Sequence, residues 1–98
     1  MSTKYFRIED WTQAVLTADT DSKTRLVALT LARHADAHGK ARLSYAELAD
    51  QTALGERSVT TALGALRRGG WLAKTAQGGG RSGRTGNEYL IVMPETAA

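Results

Sequence analysis

Trp11, Ala14, Val15 and Ala18 recur at i, i+3, i+4 and i+7, which places all four on one face of a helix. Asp10 stands where an N-cap is expected, with Gln13 three residues on as a capping-box partner, so the pattern predicts a first helix over about 10–18. A polar break at Asp19-Thr20-Asp21-Ser22 follows. From Lys23 to His38 there is neither Gly nor Pro, and Leu26, Val27, Ala28, Leu29, Leu31, Ala32 and Ala35 leave little polar surface. A helix apolar nearly all round belongs in the centre of a fold. Gly39 is expected to end it in a left-handed conformation, with His34 and His38 in its last turn.

Ala41-Arg42-Leu43 is too short for a helix and reads as an edge strand. Ser44-Tyr45-Ala46-Glu47 then has the form of a capping box, a hydroxyl at the N-cap and a carboxylate three residues later. The short helix it opens carries Tyr45, Leu48, Ala49 and Thr52 on one face. After Ala53-Leu54-Gly55, helical spacing returns with Val59, Ala62, Leu63 and Leu66, and Gly69-Gly70 stops it. Residues 71–75 and 87–92 read as strands, rich in aromatic and β-branched residues, around a glycine-rich loop at 77–86. Residues 93–98 read as a frayed tail.

Charge sharpens this picture. The chain of 98 residues carries a net charge of +3. Residues 1–39 hold five basic and five acidic side chains, whereas Arg57 to Asn87 hold Arg57, Arg67, Arg68, Lys74, Arg81 and Arg84 and no acid. A one-sided positive field of this kind suits a polyanion-binding surface, although a solvated charged face has the same composition. The length allows one core, so a single domain is expected over 1–98, with its core at 8–92. Cysteine is absent, which excludes disulfides and thiolate chemistry. The amino terminus has no apolar signal region, and no apolar run approaches the roughly 20 residues of a membrane span. A soluble, cytoplasmic protein with no membrane partner is the expectation.

The stretch Leu48 to Leu72, LADQTALGERSVTTALGALRRGGWL, resembles the winged helix-turn-helix pattern of bacterial and phage transcriptional regulators and of plasmid or phage replication-initiator domains. Ala49 sits where the two helices cross, Leu54 plugs the turn, and Val59, Leu63 and Leu66 seat the second helix. Ala53 replaces the glycine usual in the turn, and Gly55 replaces a capping Ser or Thr. Ala53 is expected to sit uneasily in a left-handed conformation and to alter the turn slightly. The resemblance implies an α+β winged helix-turn-helix, mostly helical, with four helices, a short strand and a C-terminal two-stranded β-hairpin wing. Its helix-turn-helix covers 45–68 and its wing 71–92. It implies sequence-specific binding to double-stranded DNA, by a homodimer as one short helix reads few base pairs.

Within that frame, helix geometry turns Glu56, Arg57, Thr60, Thr61, Gly64, Arg67 and Arg68 away from the core, with Ser58 beside them. Arg57 is the first choice for direct readout, because a guanidinium pairs bidentately with guanine O6 and N7. Thr60 and Thr61 suit a thymine methyl or a phosphate. Glu56 suits a cytosine amine or only the helix dipole. Gly64 marks either close approach of the backbone to DNA or nothing beyond a chain rich in Ala and Gly. Arg67 and Arg68 suit phosphates, as do Lys74, Arg81 and Arg84 on the wing. Ser22, Lys23, Arg25, Ser44 and Tyr45 are further candidates for backbone contacts.

Other chemistries fit poorly. The glycine run lacks the Gly-Lys-Ser/Thr that leads into a helix in phosphate-cradling nucleotide loops. His34 and His38 have metal-compatible spacing but no good third ligand, so no metal or other cofactor is expected. No catalytic arrangement and no effector pocket are recoverable, and an enzyme is not expected. The competing class is a winged-helix protein-interaction module or a non-specific nucleic-acid binder.

Overall fold

The computed structural model describes residues 6–73 and 87–94. Helix α1 spans Ile8–Thr17 and helix α2 Ser22–His34; strand β1 spans Lys40–Leu43. Helices α3, Tyr45–Thr52, and α4, Glu56–Arg68, follow. Strands β2, Leu72–Ala73, and β3, Asn87–Ile91, complete an antiparallel sheet of order β1-β3-β2. The described residues thus form an α+β, mostly helical fold of four helices and a small three-stranded sheet, compatible with a winged helix-turn-helix. No helix among them is long and apolar enough to cross a membrane.

Helix α2 is the hub, packing on α1, α3, α4 and β1. Val27, Ala28 and Leu31 are its fully buried residues, meeting Trp11 and Val15 of α1, Leu48 of α3, and Val59, Leu63 and Leu66 of α4 in one core. Its apolar girdle is incomplete, because Leu26 is 40% exposed. Trp11 meets Trp71 edge to face, with ring centres 5.9 Å apart. The Trp11 Nε1–H also donates to the Val92 carbonyl at 2.9 Å, tying α1 to the end of β3.

Both leading helices depart from their expected limits. Helix α1 begins at Ile8 with Arg7 as an N-cap lacking a side-chain bond, so Asp10 and Gln13 form no capping box. Asp10 instead lies inside the first turn, where its charge favours the positive end of the helix dipole. Asp21 caps α2, accepting from the Thr24 N–H at 2.9 Å. The helix ends at His34, not His38. Asp36 Oδ1 takes the N–H groups of His38 and Lys40 at 2.8 and 3.0 Å, and this local turn outcompetes another helical turn. Gly39 does adopt a left-handed φ of 81°, but it closes that turn ahead of β1. His34 and His38 therefore share no helix, and His34 Nε2 is hydrogen-bonded to Gln51 Oε1 at 2.8 Å.

Strand β1 is an edge strand, as expected, but it pairs with β3, giving the sheet a third strand beyond the hairpin. The Asp36 turn also shields its open side. Asp36 N–H donates to the Lys40 carbonyl while Asp36 Oδ1 accepts from Lys40 N–H, so that, among the described residues, Arg42 is the β1 residue whose outward backbone groups have no partner. Strand β2 starts at Leu72, one residue later than expected, and Lys74 and Thr75 lie outside the described residues.

Candidate nucleic-acid interface

The joint between α3 and α4 comes from local chemistry. Ser44 Oγ accepts from Glu47 N–H at 3.0 Å while Glu47 Oε1 accepts from Ser44 N–H at 2.8 Å, the reciprocal pair the sequence anticipates. At the far end Ala53 takes a left-handed φ of 61° and ψ of 25°. The expectation of an altered turn is thus corrected: alanine accepts the glycine conformation, and Thr52 Oγ1 accepts from the next N–H, that of Leu54, at 3.3 Å. Gly55 then serves as the N-cap of α4 with ordinary φ and ψ, providing no side-chain bond.

Helix α4 ends in a Schellman motif. Trp71 N–H donates to the Leu66 carbonyl at 2.9 Å and Gly70 N–H to Arg67 at 3.1 Å, with Gly70 left-handed at φ 85°. This closure turns Trp71 towards Trp11 and launches β2. A helix seated on the core through Val59, Ala62, Leu63 and Leu66 and closed at its C-terminal end presents its outer face in a fixed orientation.

That face carries most of the candidate residues. Val59, Ala62, Leu63 and Leu66 are buried, while Glu56, Arg57, Thr60, Thr61, Arg67 and Arg68 are exposed and Ser58 and Gly64 half-buried. Thr60 Oγ1 donates back to the Glu56 carbonyl at 3.0 Å. Among the described residues the ion pairs are Arg7–Glu9 and Arg42–Glu88, so Arg57, Arg67 and Arg68 have no carboxylate partner there. Arg67 lies near enough to Tyr89 for its charge to act on the phenol. Burial pushes that phenol above its ordinary pKa, against a 3.2 Å hydrogen bond from Asn87 Nδ2 and the Arg67 charge.

Lys23 joins Arg57 through tertiary packing. A cleft of about 250 Å³ between the start of α2 and the first half of α4 is lined by Asp21, Lys23, Thr24, Arg57, Ser58, Thr61 and Ala62. The Asp21 carboxyl in it is held below its ordinary pKa by hydrogen bonds from Thr24, aided by the Lys23 charge. Sequence reasoning gives Lys23 no more weight than its neighbours, since only the packing of α2 on α4 brings it to the reading face. Arg25 has another use: its Nη2 donates to the carbonyls of Ala18 and Thr20 at 2.8 and 3.3 Å, bracing the α1–α2 loop. Ser44 is 8% exposed and its oxygen serves the cap. Lys74, Arg81 and Arg84 lie outside the described residues.

A family model described as a helix-turn-helix domain matches residues 22–72, from the first residue of α2 into β2 and just over half of the chain. No curated protein matches, and no solved structure matches.

Proposed function

This chain belongs to the helix-turn-helix domain family, and from that premise we propose that it binds double-stranded DNA sequence-specifically through α4. The observation that carries this reading is the outer face of α4: three arginines without carboxylate partners among the described residues, interleaved with threonines, on a helix whose inner face is buried in the core and whose C-terminal end is closed by a Schellman motif. The N-terminal part of a recognition helix enters the major groove. Arg57 reads a guanine there, with Ser58, Thr60 and Thr61 on neighbouring groups and Glu56 either on a cytosine amine or supporting the helix dipole. Lys23 and Arg67 take phosphates on either side. Lys74, Arg81 and Arg84 on the wing add phosphate or minor-groove contacts. Ser44 serves indirectly, by fixing α3.

The chain acts as a single domain and binds as a homodimer, with half-sites about one DNA turn, 34 Å, apart. Its setting is cytoplasmic, and its role is that of a transcriptional regulator or a replication, partition or mobile-element protein rather than an enzyme. Selection from a random duplex pool at two salt concentrations tests this directly. A motif that survives the higher salt supports sequence reading, and its symmetry reports the dimer. Arg57→Ala is expected to cost about 1–3 kcal/mol at one base pair. Replacing Arg81 and Arg84 together is expected to reduce the salt slope by up to about two. Salt-sensitive binding without a motif refutes specificity, and no binding at all favours a protein-interaction module.

A further inference from the structure

Gly64 lies midway along the outer face of α4 in ordinary helical backbone, so no positive φ requires a glycine. Core packing does not require one either. A methyl group on its α-carbon meets a single side-chain atom among the described residues, Arg68 Nη1 at 3.3 Å. The Arg68 side chain therefore lies back over the preceding turn, the direction in which long helical side chains lean, and its guanidinium rests on the bare backbone at Gly64.

This changes what Arg68 can reach. Its α-carbon belongs to the last turn, where a cation ordinarily serves the helix dipole or a flanking phosphate. Lying back shifts the charge by about one helical pitch, 5.4 Å, towards the middle of the face. Arg57, Thr61, Gly64 and Arg68 follow one another at intervals of four, three and four residues and so form one stripe along the helix. No carboxylate among the described residues holds Arg68 elsewhere.

We propose that Gly64 is the seat of a second base-reading arginine: it lets Arg68 lay its guanidinium on the centre of α4 and pair there with a guanine edge. This rests on the reading of α4 as a DNA-recognition helix. Gly64 acts as a positioning residue, and the added methyl of Gly64→Ala forces the guanidinium aside by a few tenths of an ångström.

The experiment is a two-by-two comparison of the full chain, wild type, Gly64→Ala, Arg68→Ala and the double variant, by selection from random duplex DNA and by affinity for the selected site. Arg68→Ala is expected to relax preference at one guanine about tenfold or more. Gly64→Ala should relax the same position and have no further effect once Arg68 is gone, while its thermal midpoint stays at or above wild type. Equal losses from Gly64→Ala with and without Arg68 would mean that the backbone itself approaches DNA, and would overturn the proposal. So would an unchanged Gly64→Ala profile, or a uniform loss across all sequences from Arg68→Ala, which marks a phosphate contact. These three results leave α4 as the reading helix. A wild-type protein that selects no motif overturns that reading and this inference together.

Discussion

Ala53→Gly should stabilise the protein, against the usual direction of such a change. Ala53 sits at φ 61° and ψ 25°, a left-handed conformation in which an L-residue crowds its Cβ against the following carbonyl. That costs roughly 1–2 kcal/mol. Glycine removes the cost but loosens the unfolded chain by about 0.4–1 kcal/mol. Ala53 is exposed, so its methyl contributes little packing that glycine would forfeit. The difference leaves about 0–1.6 kcal/mol in favour of glycine, centred on about 0.8 kcal/mol, which is a rise of about 3–6 °C in Tm for a domain of this size. Thermal unfolding followed by circular dichroism reads the shift, and urea unfolding with an unchanged slope shows that the surface exposed on unfolding is the same. Ala53→Val supplies the opposite sign, since a β-branched side chain is strongly disfavoured at positive φ. An Ala53→Gly protein that melts lower than wild type would refute the left-handed turn between α3 and α4.

Three further outcomes are expected. Ser44→Ala removes the acceptor for Glu47 N–H and should cost about 1 kcal/mol; an unchanged urea midpoint would show that the capping box does not form in solution. Trp11→Phe strips the Val92 carbonyl of its donor and should cost about 2 kcal/mol or more, with earlier hydrogen exchange at β3; a loss below about 0.5 kcal/mol would mean that α1 is not tied to the sheet. Stability should fall at both ends of the pH scale. Asp36, lowered by the Lys40 and His38 N–H groups, and Asp21, lowered by Thr24, contribute stability above their unfolded values near pH 4 that is lost as pH drops. Tyr89 is raised by burial, so its contribution holds below about pH 10 and is lost above it. Tyrosinate absorbance that shows no late-titrating tyrosine, or an acid limb unchanged in Asp36→Asn, would contradict these assignments.

How far the residues alone speak depends on the range of each interaction. The inward face of α4, the capping box at Ser44 and the stop at Gly69-Gly70 are written within a turn or two of chain, because periodicity and cap bonds join residues three to five apart. These local signals were enough to point to the α+β fold and to the exposed arginines of α4. They misplaced the start of α1, where Asp10 is as acceptable inside the first turn as at its cap. They also ran α2 on to His38, because Gly39 imitates a helix stop and the competing bonds from Asp36 include one to Lys40 in the next element.

What tertiary structure alone decided lies beyond any short window. Trp11 reaches the carbonyl of Val92 across 81 positions, β1 joins β3 and not a neighbour in sequence, and Lys23 lines one cleft with Arg57 only because α2 packs on α4. Each rests on burying apolar faces together, a non-directional force that fixes partners only once the whole core is assembled. The stripe of α4 was legible in its sequence. The neighbours and orientation that make it a reading surface were not.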